Sequence, residues 1–314
     1  MTHTFTRAKS TLSAINRALY ALSDRSGLPS IEFIFSADDY THGPQPIWTY
    51  SKRKEDTWAW LMPDFGYWSW PEVDAGSYSH VRQRIASIDN GDGRDNATSH
   101  NPSGQNNGLK FKDKRKQLLW RGNIATAPDL RQKLLSVTSN KPWSSTASVE
   151  WGEKHDNNIP NNFMSLEDHC NYMLLAHVEG RSYSGRGKYL QNCRSVLITH
   201  ELEWREIHHA ALVSSGPDAN YVLVKRDFSD LEANVLRLLS DGEYAEVIAE
   251  NSVRAFRDRY LTPAAEACYW RELIWAYGSL CDFEPVLYSN ESSERGRRVR
   301  GVDFESFILN GELP

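Results

Sequence analysis

Residues 172–192 read YMLLAHVEGRSYSGRGKYLQN, and this stretch decides the fold class. The apolar run from Met173 to Val178 predicts a buried strand. A loop of small residues follows from Gly180, and a helix is predicted to begin at Lys188. A buried strand that leads through a glycine-rich turn into a helix is typical of α/β proteins with a parallel sheet.

Strands and helices alternate on both sides of this stretch. Short apolar runs predict strands at 31–35, 117–120, 147–151, 195–199 and 221–225. Helical spacing predicts helices at 5–25, 128–138, 168–172, 188–192, 229–240, 242–258 and 263–280. No chemistry is assigned to residues 5–25. Residues 90–109 are rich in Gly, Asn and Ser, which predicts a surface loop or a domain junction.

The loop at 180–188 is a candidate phosphate site. It follows the carboxyl end of a predicted strand, where open α/β sheets bind ligands, and it precedes a predicted helix N-terminus, which attracts anions. Glycines allow the backbone to approach an anion, while serine hydroxyls and an arginine can donate to it. The residues concerned are Gly180, Ser182, Ser184, Gly185, Arg186 and Gly187. A purely structural glycine turn is the alternative that the pattern leaves open.

This loop also has the outline of a nucleotide-triphosphate loop, G-x-x-x-x-G-K-[ST]. Arg186 stands where the motif has Lys, and Gly187 stands where it has the magnesium-binding Ser or Thr. We therefore reject an NTPase.

Histidines near residue 200 resemble part of a metalloprotease motif. His200 and Glu201 begin like H-E-x-x-H, but Trp204 replaces the second histidine. With His208 and His209 nearby a metal site stays an alternative. The favoured interpretation is surface or hydrogen-bonded histidines.

Two adjacent carboxylates, Asp38 and Asp39, follow the predicted strand at 31–35. Carboxylates in such places act as general bases or acids. They also serve as turn residues, so both roles stay open. An aromatic run at 65–71, FGYWSWP, is open in the same way between core packing and a stacking surface for sugar rings.

The composition excludes several classes of protein. The chain has 314 residues and a net charge of −5, which gives no electrostatic footprint for nucleic acid. No apolar run approaches the roughly 18 residues that a membrane span needs, and the first 25 residues lack the apolar core of a signal peptide. Four cysteines are too few for a disulfide scaffold. A soluble globular protein is expected, either cytosolic or separated from an upstream targeting segment.

Four motifs follow one another along the chain: LWRGN at 119–123, DHC at 168–170, EGRSYSGR at 179–186 and YLQNC at 189–193. In this order they resemble glycosyltransferase family 90, the capsule-associated and protein O-glucosyltransferase group. MPDFGYWSWPE at 62–72, RDFSDL at 226–231 and LTPAAEACYW at 261–270 are most similar to its fungal branch. The resemblance extends from about residue 31 to 282.

The resemblance implies a GT-B-like α/β architecture, with two Rossmann-like halves and a donor cleft between them. The acceptor-side half is expected at 1–115, without its first elements, the donor-binding half at 116–282, and a tail at 283–314. It also implies a metal-independent, inverting transfer of xylose or glucose from a UDP-sugar to a hydroxyl of a protein or polysaccharide. No cofactor, metal or nucleic acid is expected.

The resemblance also gives roles to individual residues. Asp39 matches the general base, with Asp38 where related enzymes have a basic residue, so either carboxylate could act. Ser184 and Arg186 match phosphate-binding positions, and Arg131 matches a second phosphate arginine. Arg121, Gly122, Gly180 and Ser182 complete the expected donor site.

Cys170 and Cys193 match positions that form a disulfide in related enzymes. Such a bond implies an oxidising compartment, the lumen of the ER or Golgi. Cys268 matches a cysteine whose partner lies N-terminal to this chain, so Cys268 is expected to be free. Membrane association is expected only through an absent N-terminal segment.

Two other functions remain as alternatives. The departure at Asp38 and the short N-terminus motivate a catalytically weak, lectin-like or chaperone-like relative of the same fold. Another phosphate-binding enzyme, such as a nucleotide hydrolase, is disfavoured by the missing magnesium-loop residues.

Overall fold

The computed structural model of the chain describes residues 3–24, 27–40, 43–73, 75–90, 108–150, 161–293 and 296–310. Most of the loop predicted at 90–109 lies outside these ranges. In chain order the helices and strands are α1 (His3–Tyr20), β1 (Ile47–Thr49), β2 (Ala59–Leu61), α2 (Tyr78–Asn90), β3 (Arg115–Gly122), α3 (Pro128–Thr138), β4 (Ser144–Ser148), β5 (Tyr172–His177), α4 (Gly187–Leu190), β6 (Val196–His200), β7 (Val222–Val224), α5 (Leu231–Ser240), α6 (Gly242–Ser252), α7 (Pro263–Leu280), β8 (Tyr288–Ser293), β9 (Gly296–Val299) and α8 (Phe304–Asn310).

A five-stranded parallel sheet with the order β4-β3-β5-β6-β7 forms the centre of the fold. Every residue of β5 and β6 is buried, because both faces of the sheet are covered. This burial on both faces explains why the sequence is apolar throughout these two strands. The predicted α/β fold with a mainly parallel sheet is confirmed.

The order of the strands places a crevice at one edge of the sheet. From β3 the chain moves outward to β4 and then returns to β5 on the other side of β3. Ligands bind where the strand order reverses in this way, beyond the carboxyl ends of the two central strands. Arg121 and Gly122 end β3, and Gly180 follows β5, so all three lie at this edge.

The predicted buried strand at 31–35 is wrong in part. Only Phe35 pairs, in a single bridge with Trp48, and Ile34 is 67% exposed. Alternate side chains still face the core, where Phe33 stacks on Trp48 with ring centroids 3.9 Å apart. Trp48 N–H donates to Ile34 O, so the segment is extended but has one neighbour on one side only.

Other boundaries move by a few residues. The strand predicted at 147–151 is β4 (Ser144–Ser148), and the helix predicted at 168–172 is a 3-10 helix at Glu167–Asn171. The helix predicted at 188–192 is the single turn α4. The helix predicted at 242–258 is α6, which continues as a wider π-helical segment, Val253–Tyr260.

Helix α7 returns from the five-stranded sheet to the N-terminal part of the chain. Trp270 is fully buried and stacks near Trp48, with centroids 6.2 Å apart. Arg17 of α1 donates to Glu266 of α7 at 2.6 Å, and Trp270 Nε1 donates to the same carboxylate. The N-terminal part itself contains α1 and the two-stranded parallel sheet β1–β2. Within the described ranges, no helix has the length and apolar character needed to span a membrane.

A disulfide joins Cys170 and Cys193, as the resemblance implied. Both residues are fully buried. The bond ties the 3-10 helix before β5 to the chain just after α4, and thereby closes a loop that contains the whole segment at 180–188. All four cysteines lie in the described part of the chain, and Cys268 and Cys281 are free there.

Replacing both paired cysteines by alanine is expected to lower the free energy of unfolding by about 3 kcal/mol, since the closed loop restricts the unfolded chain. The melting temperature should fall by roughly 6 °C in calorimetry. Cys281→Ala is the control and should leave the melting temperature unchanged. An unchanged melting temperature in the double variant would contradict a stabilising disulfide.

Candidate active site

A cavity of about 730 Å³ lies at the crevice edge of the five-stranded sheet, and residues of the N-terminal part line it too. Seven of the eight predicted site residues line this cavity: Asp39, Arg121, Gly122, Arg131, Gly180, Ser184 and Arg186. The eighth, Ser182, is buried behind the lining and donates from its hydroxyl to the backbone oxygen of Asp39 at 2.6 Å. The structure therefore brings together residues more than 140 positions apart in sequence.

Arginines form a basic wall of the cavity. Burial, together with the neighbouring Arg131, lowers the pKa of Arg186 to about 9. Burial lowers the pKa of Arg131 to about 10. Both guanidinium groups stay charged at neutral pH, but their charges lack full compensation by solvent. A bound anion would supply that compensation.

The two arginines differ in the donors that they leave free. Arg131 donates to three backbone oxygens, those of Asn123, Val178 and Glu179, which leaves it mainly as a fixed positive charge. Arg186 donates through one nitrogen to the backbone oxygen of Arg121. Its remaining N–H groups make Arg186 the better candidate for direct hydrogen bonds to a ligand.

Two glycines of the 180–188 loop, Gly180 and Gly187, are closely packed. A Cβ on Gly180 would lie 3.2 Å from the backbone oxygen of Tyr183, and one on Gly187 would lie 2.7 Å from the His177 ring. Gly187 therefore has a structural role, which was the alternative that the sequence pattern left open for this loop. Because α4 has only four residues, the helix N-terminus that we expected to attract an anion contributes little, and the charge comes from side chains.

Lys188 lies two positions after Arg186 and does not line the cavity. Its side chain is 1% exposed, and its ammonium group pairs with Asp64 at 2.6 Å and donates to the backbone oxygen of Gly185 at 2.7 Å. Asp64 in turn accepts the N–H of Gly66 at 2.8 Å. This buried ion pair fixes the loop to the segment that begins the aromatic run.

Lys188→Met is expected to destabilise the fold by about 3–5 kcal/mol, because Asp64 would be left buried without its partner. Thermal unfolding measures this loss. The double variant Lys188→Met, Asp64→Asn removes the uncompensated charge and retains the acceptor for Gly66. It should recover at least half of the lost stability, and equal instability of the two variants would contradict the pairing.

Asp38 and Asp39 have different surroundings. Asp38 is exposed, does not line the cavity, and accepts the backbone N–H of Asp39 at 2.8 Å. Asp39 lines the cavity with 34% of its side chain exposed. The Ser51 hydroxyl donates to the backbone oxygen of Asp39 at 3.1 Å, in addition to Ser182. Asp38 has the contacts of a turn residue, and Asp39 is the carboxylate that a ligand can reach.

Sequence reasoning missed five charged residues that line the cavity: Arg7, Glu72, Arg84, Glu167 and Arg181. Arg7 lies on α1, in the stretch to which no chemistry was assigned, and pairs with Asp39 at 2.8 Å and with Glu72 at 2.6 Å. A single arginine in an amphipathic helix gives no signal of such contacts. Glu72 ends one of the motifs quoted above, but no spacing rule singles it out.

His169 was also missed, although it lies in the DHC motif. Its Nδ1 donates to the backbone oxygen of Ser165 at 2.7 Å, which leaves Nε2 as a buried acceptor without a protein partner in the described part of the chain. Burial and the charge of Arg186 lower the pKa of His169 to about 3, so the ring is neutral. It lines the cavity and can accept a hydrogen bond from a ligand hydroxyl.

His177, Glu206 and His209 place one potential metal-ligand atom each within 4.8 Å of one another. They do not line the cavity. Nδ1 of His209 accepts the backbone N–H of Glu206, so the ring proton lies on Nε2, 3.3 Å from the Glu206 carboxylate. A metal would need that nitrogen unprotonated. The segment from His200 to Trp204 is not helical, which removes the likeness to a metalloprotease.

The aromatic run divides between the two roles that the sequence left open. Phe65 and Trp70 line the cavity. Tyr67 is 1% exposed and packs in the core, whereas Trp68 is 37% exposed. The run therefore contributes both to the core and to the wall of the cavity, and the ring of Phe65 is covered by the Arg7 guanidinium, 4.6 Å from its centroid.

Comparison with known proteins identifies the family of the chain. The family model described as Glycosyl transferase family 90 matches residues 22–294. An O-glucosyltransferase rumi homolog from Aedes aegypti is 26% identical over 272 residues, which cover 82% of this chain and 63% of the relative. A homolog from Anopheles gambiae is 30% identical over 145 residues (46% and 34%), and O-glucosyltransferase rumi from Drosophila melanogaster is 25% identical over 283 (82% and 62%). The chain thus spans less than two thirds of the length of these relatives. Because the family model covers most of the chain, this protein belongs to glycosyl transferase family 90.

Proposed function

We propose that this protein is an inverting glycosyltransferase that moves a sugar from a UDP-sugar to a hydroxyl group without a metal ion. One observation carries the proposal: a single cavity is lined both by the reachable carboxylate of Asp39 and by the guanidinium groups of Arg131 and Arg186. A carboxylate and a basic wall are the two groups that such a transfer requires.

The basic wall would bind the diphosphate of the donor. Arg186 and the Ser184 hydroxyl would donate to its oxygens, and Arg121 and Arg131 would add positive charge, while Gly122 and Gly180 allow close approach. Three arginines can neutralise the departing UDP, which is the task that a metal ion performs in other enzymes. Ser182 would act indirectly, since it holds the backbone of Asp39.

Asp39 would be the general base. In an inverting transfer the acceptor oxygen bonds to the anomeric carbon as the bond from that carbon to the UDP oxygen breaks. The electron pair of the broken bond leaves with UDP, and the acceptor proton passes to the Asp39 carboxylate. Asp38, which is exposed outside the cavity, would have no part in this step.

The finer architecture and setting are part of the same proposal. A GT-B-like arrangement would have an acceptor-side half at 1–115, a donor-binding half at 116–282 and a tail at 283–314. The crevice edge of the five-stranded sheet supports the donor-binding half. The disulfide supports a secretory compartment, the ER or Golgi lumen. The names of the relatives favour glucose as the sugar. Xylose is the alternative, and the acceptor would be a protein or a polysaccharide.

A donor screen tests the proposal. UDP release is measured with UDP-glucose, UDP-xylose, UDP-galactose and UDP-N-acetylglucosamine, each with and without EDTA. We expect turnover of UDP-glucose or UDP-xylose that EDTA does not reduce. Loss of turnover with EDTA would contradict metal independence. Binding of glycan without release of UDP from any donor would favour the lectin-like alternative.

A further inference from the structure

Arg7 lies outside the segment that matches the family model, yet its side chain reaches the cavity. It belongs to α1, which is anchored at several points along its length. Thr11 bonds the hydroxyl of Tyr50 at 2.7 Å in the core, and Arg17 pairs with Glu266 at 2.6 Å. These contacts fix where α1 lies and therefore where Arg7 enters the cavity.

The guanidinium of Arg7 joins two carboxylates. Its Nε donates to Glu72 Oε1 at 2.6 Å, and its NH1 nitrogen donates to Asp39 Oδ1 at 2.8 Å. The group also lies over the ring of Phe65, 4.6 Å from the centroid, and only 17% of the side chain is exposed. Four surroundings thus restrict its position: α1, Glu72, Asp39 and the aromatic ring.

Burial by itself would lower the pKa of Arg7, but the charges of Asp39 and Glu72 outweigh burial and raise it above its ordinary value. Arg7 therefore carries a permanent positive charge beside Asp39. A charge-assisted hydrogen bond from this cation holds the Asp39 carboxylate in one orientation.

The two oxygens of the Asp39 carboxylate are not equivalent. Oδ1 is occupied by Arg7, and the backbone oxygen of the residue accepts from Ser51 and Ser182. Among the residues that the structure describes, none donates a hydrogen bond to Oδ2. The contacts thus restrict the carboxylate through one oxygen and leave the other for a ligand.

We propose that Arg7 is a positioning residue for the Asp39 base, holding the carboxylate through Oδ1 so that Oδ2 is presented to the acceptor hydroxyl. This inference rests on the proposed function. Glu72 acts one step further away, since it holds Nε and so sets the rotation of the guanidinium plane.

The kinetic test compares Arg7→Met with Arg7→Lys, and Lys9→Met serves as a matched control. Lys9 is on the same helix, but its ammonium group donates to the backbone oxygen of Ile308. Arg7→Met should lower kcat for UDP release by roughly 10- to 100-fold, because a small misplacement of the base is costly. The Kd for UDP should stay within twofold, and Lys9→Met should change neither quantity.

Rescue by lysine separates positioning from a merely structural role. Arg7→Lys retains a charged donor for Asp39 Oδ1 and should recover part of the kcat that Arg7→Met loses, while KM for the donor stays within twofold in both variants. Turnover of Arg7→Met within threefold of the wild type, or no recovery of kcat in a folded Arg7→Lys protein, would overturn the proposal.

A second measurement does not depend on activity. In a thermal-unfolding cycle of Arg7→Met, Asp39→Ala and the double variant, the double variant should lose less stability than the sum of the two single losses, because each single variant already removes the contact. Additive losses would overturn the pairing, and with it the role of Arg7. If the losses in the variants are coupled but the wild-type protein releases no UDP from any donor, the pairing stands and the proposed function is overturned instead.

Discussion

Asp39→Asn should lower kcat for UDP release by about 10³-fold and leave UDP binding within twofold of the wild type. The amide has nearly the shape of the carboxylate, and its oxygen can still accept from Arg7. It cannot take a proton from the acceptor at neutral pH, so the loss reports the base alone. Steady-state kinetics and titration calorimetry with UDP measure the two quantities.

Asp38→Asn is the matched control for this prediction. The substitution preserves an oxygen that can accept the backbone N–H of Asp39, so the turn stays intact. Because Asp38 is exposed and does not line the cavity, kcat should change less than about threefold, as is usual for surface positions. If Asp38→Asn lost activity and Asp39→Asn kept it, the roles that we give the two carboxylates would be reversed.

Arg186→Ala should weaken UDP binding by at least about 100-fold. The variant removes the arginine of the basic wall with the most free donors, and two charge-assisted hydrogen bonds contribute roughly 3 kcal/mol or more together. The Kd for UDP in calorimetry is the direct measurement. Arg186→Lys should bind with intermediate affinity, because it retains the charge without the paired geometry.

The control for Arg186 must separate binding from folding, since Arg186 also donates to the backbone of Arg121. Melting temperatures of the two Arg186 variants provide that check. Arg237→Ala, an exposed arginine of α5, should leave both the melting temperature and the Kd unchanged. An unchanged UDP affinity in a folded Arg186→Ala protein would remove the 180–188 loop from the donor site.

The sequence predicted the α/β sheet well, because strands buried on both faces are apolar throughout. It predicted the segment at 31–35 poorly, because alternating aromatic side chains look alike in a paired strand and in an extended edge. The short length of α4 was not predictable from its residues, since β6 begins only six positions after Leu190 and the chain must turn first.

Some residues of the candidate site could be predicted from the sequence and others could not. The 180–188 loop carries a local signal in its glycines and its arginine, and the structure places that arginine in the cavity. Asp39 was singled out only through the resemblance to the family, since a pattern cannot separate it from Asp38. Arg7 and Glu72 carry no local signal. Their importance arises from tertiary packing, which brings three distant charges together.

The π-helical segment between α6 and α7 bears on how the cavity would open and close. Helix α6 packs on the five-stranded sheet, whereas α7 packs on α1, and the eight π-helical residues Val253–Tyr260 connect them. A movement of α7 relative to α6 that narrowed the cavity would change backbone dihedral angles in this connection, although Phe256 is fully buried and Arg257 pairs with Asp89 at 2.8 Å. Slower amide hydrogen exchange at these residues when UDP is bound would report such closure, and exchange that UDP does not affect would locate the flexibility elsewhere.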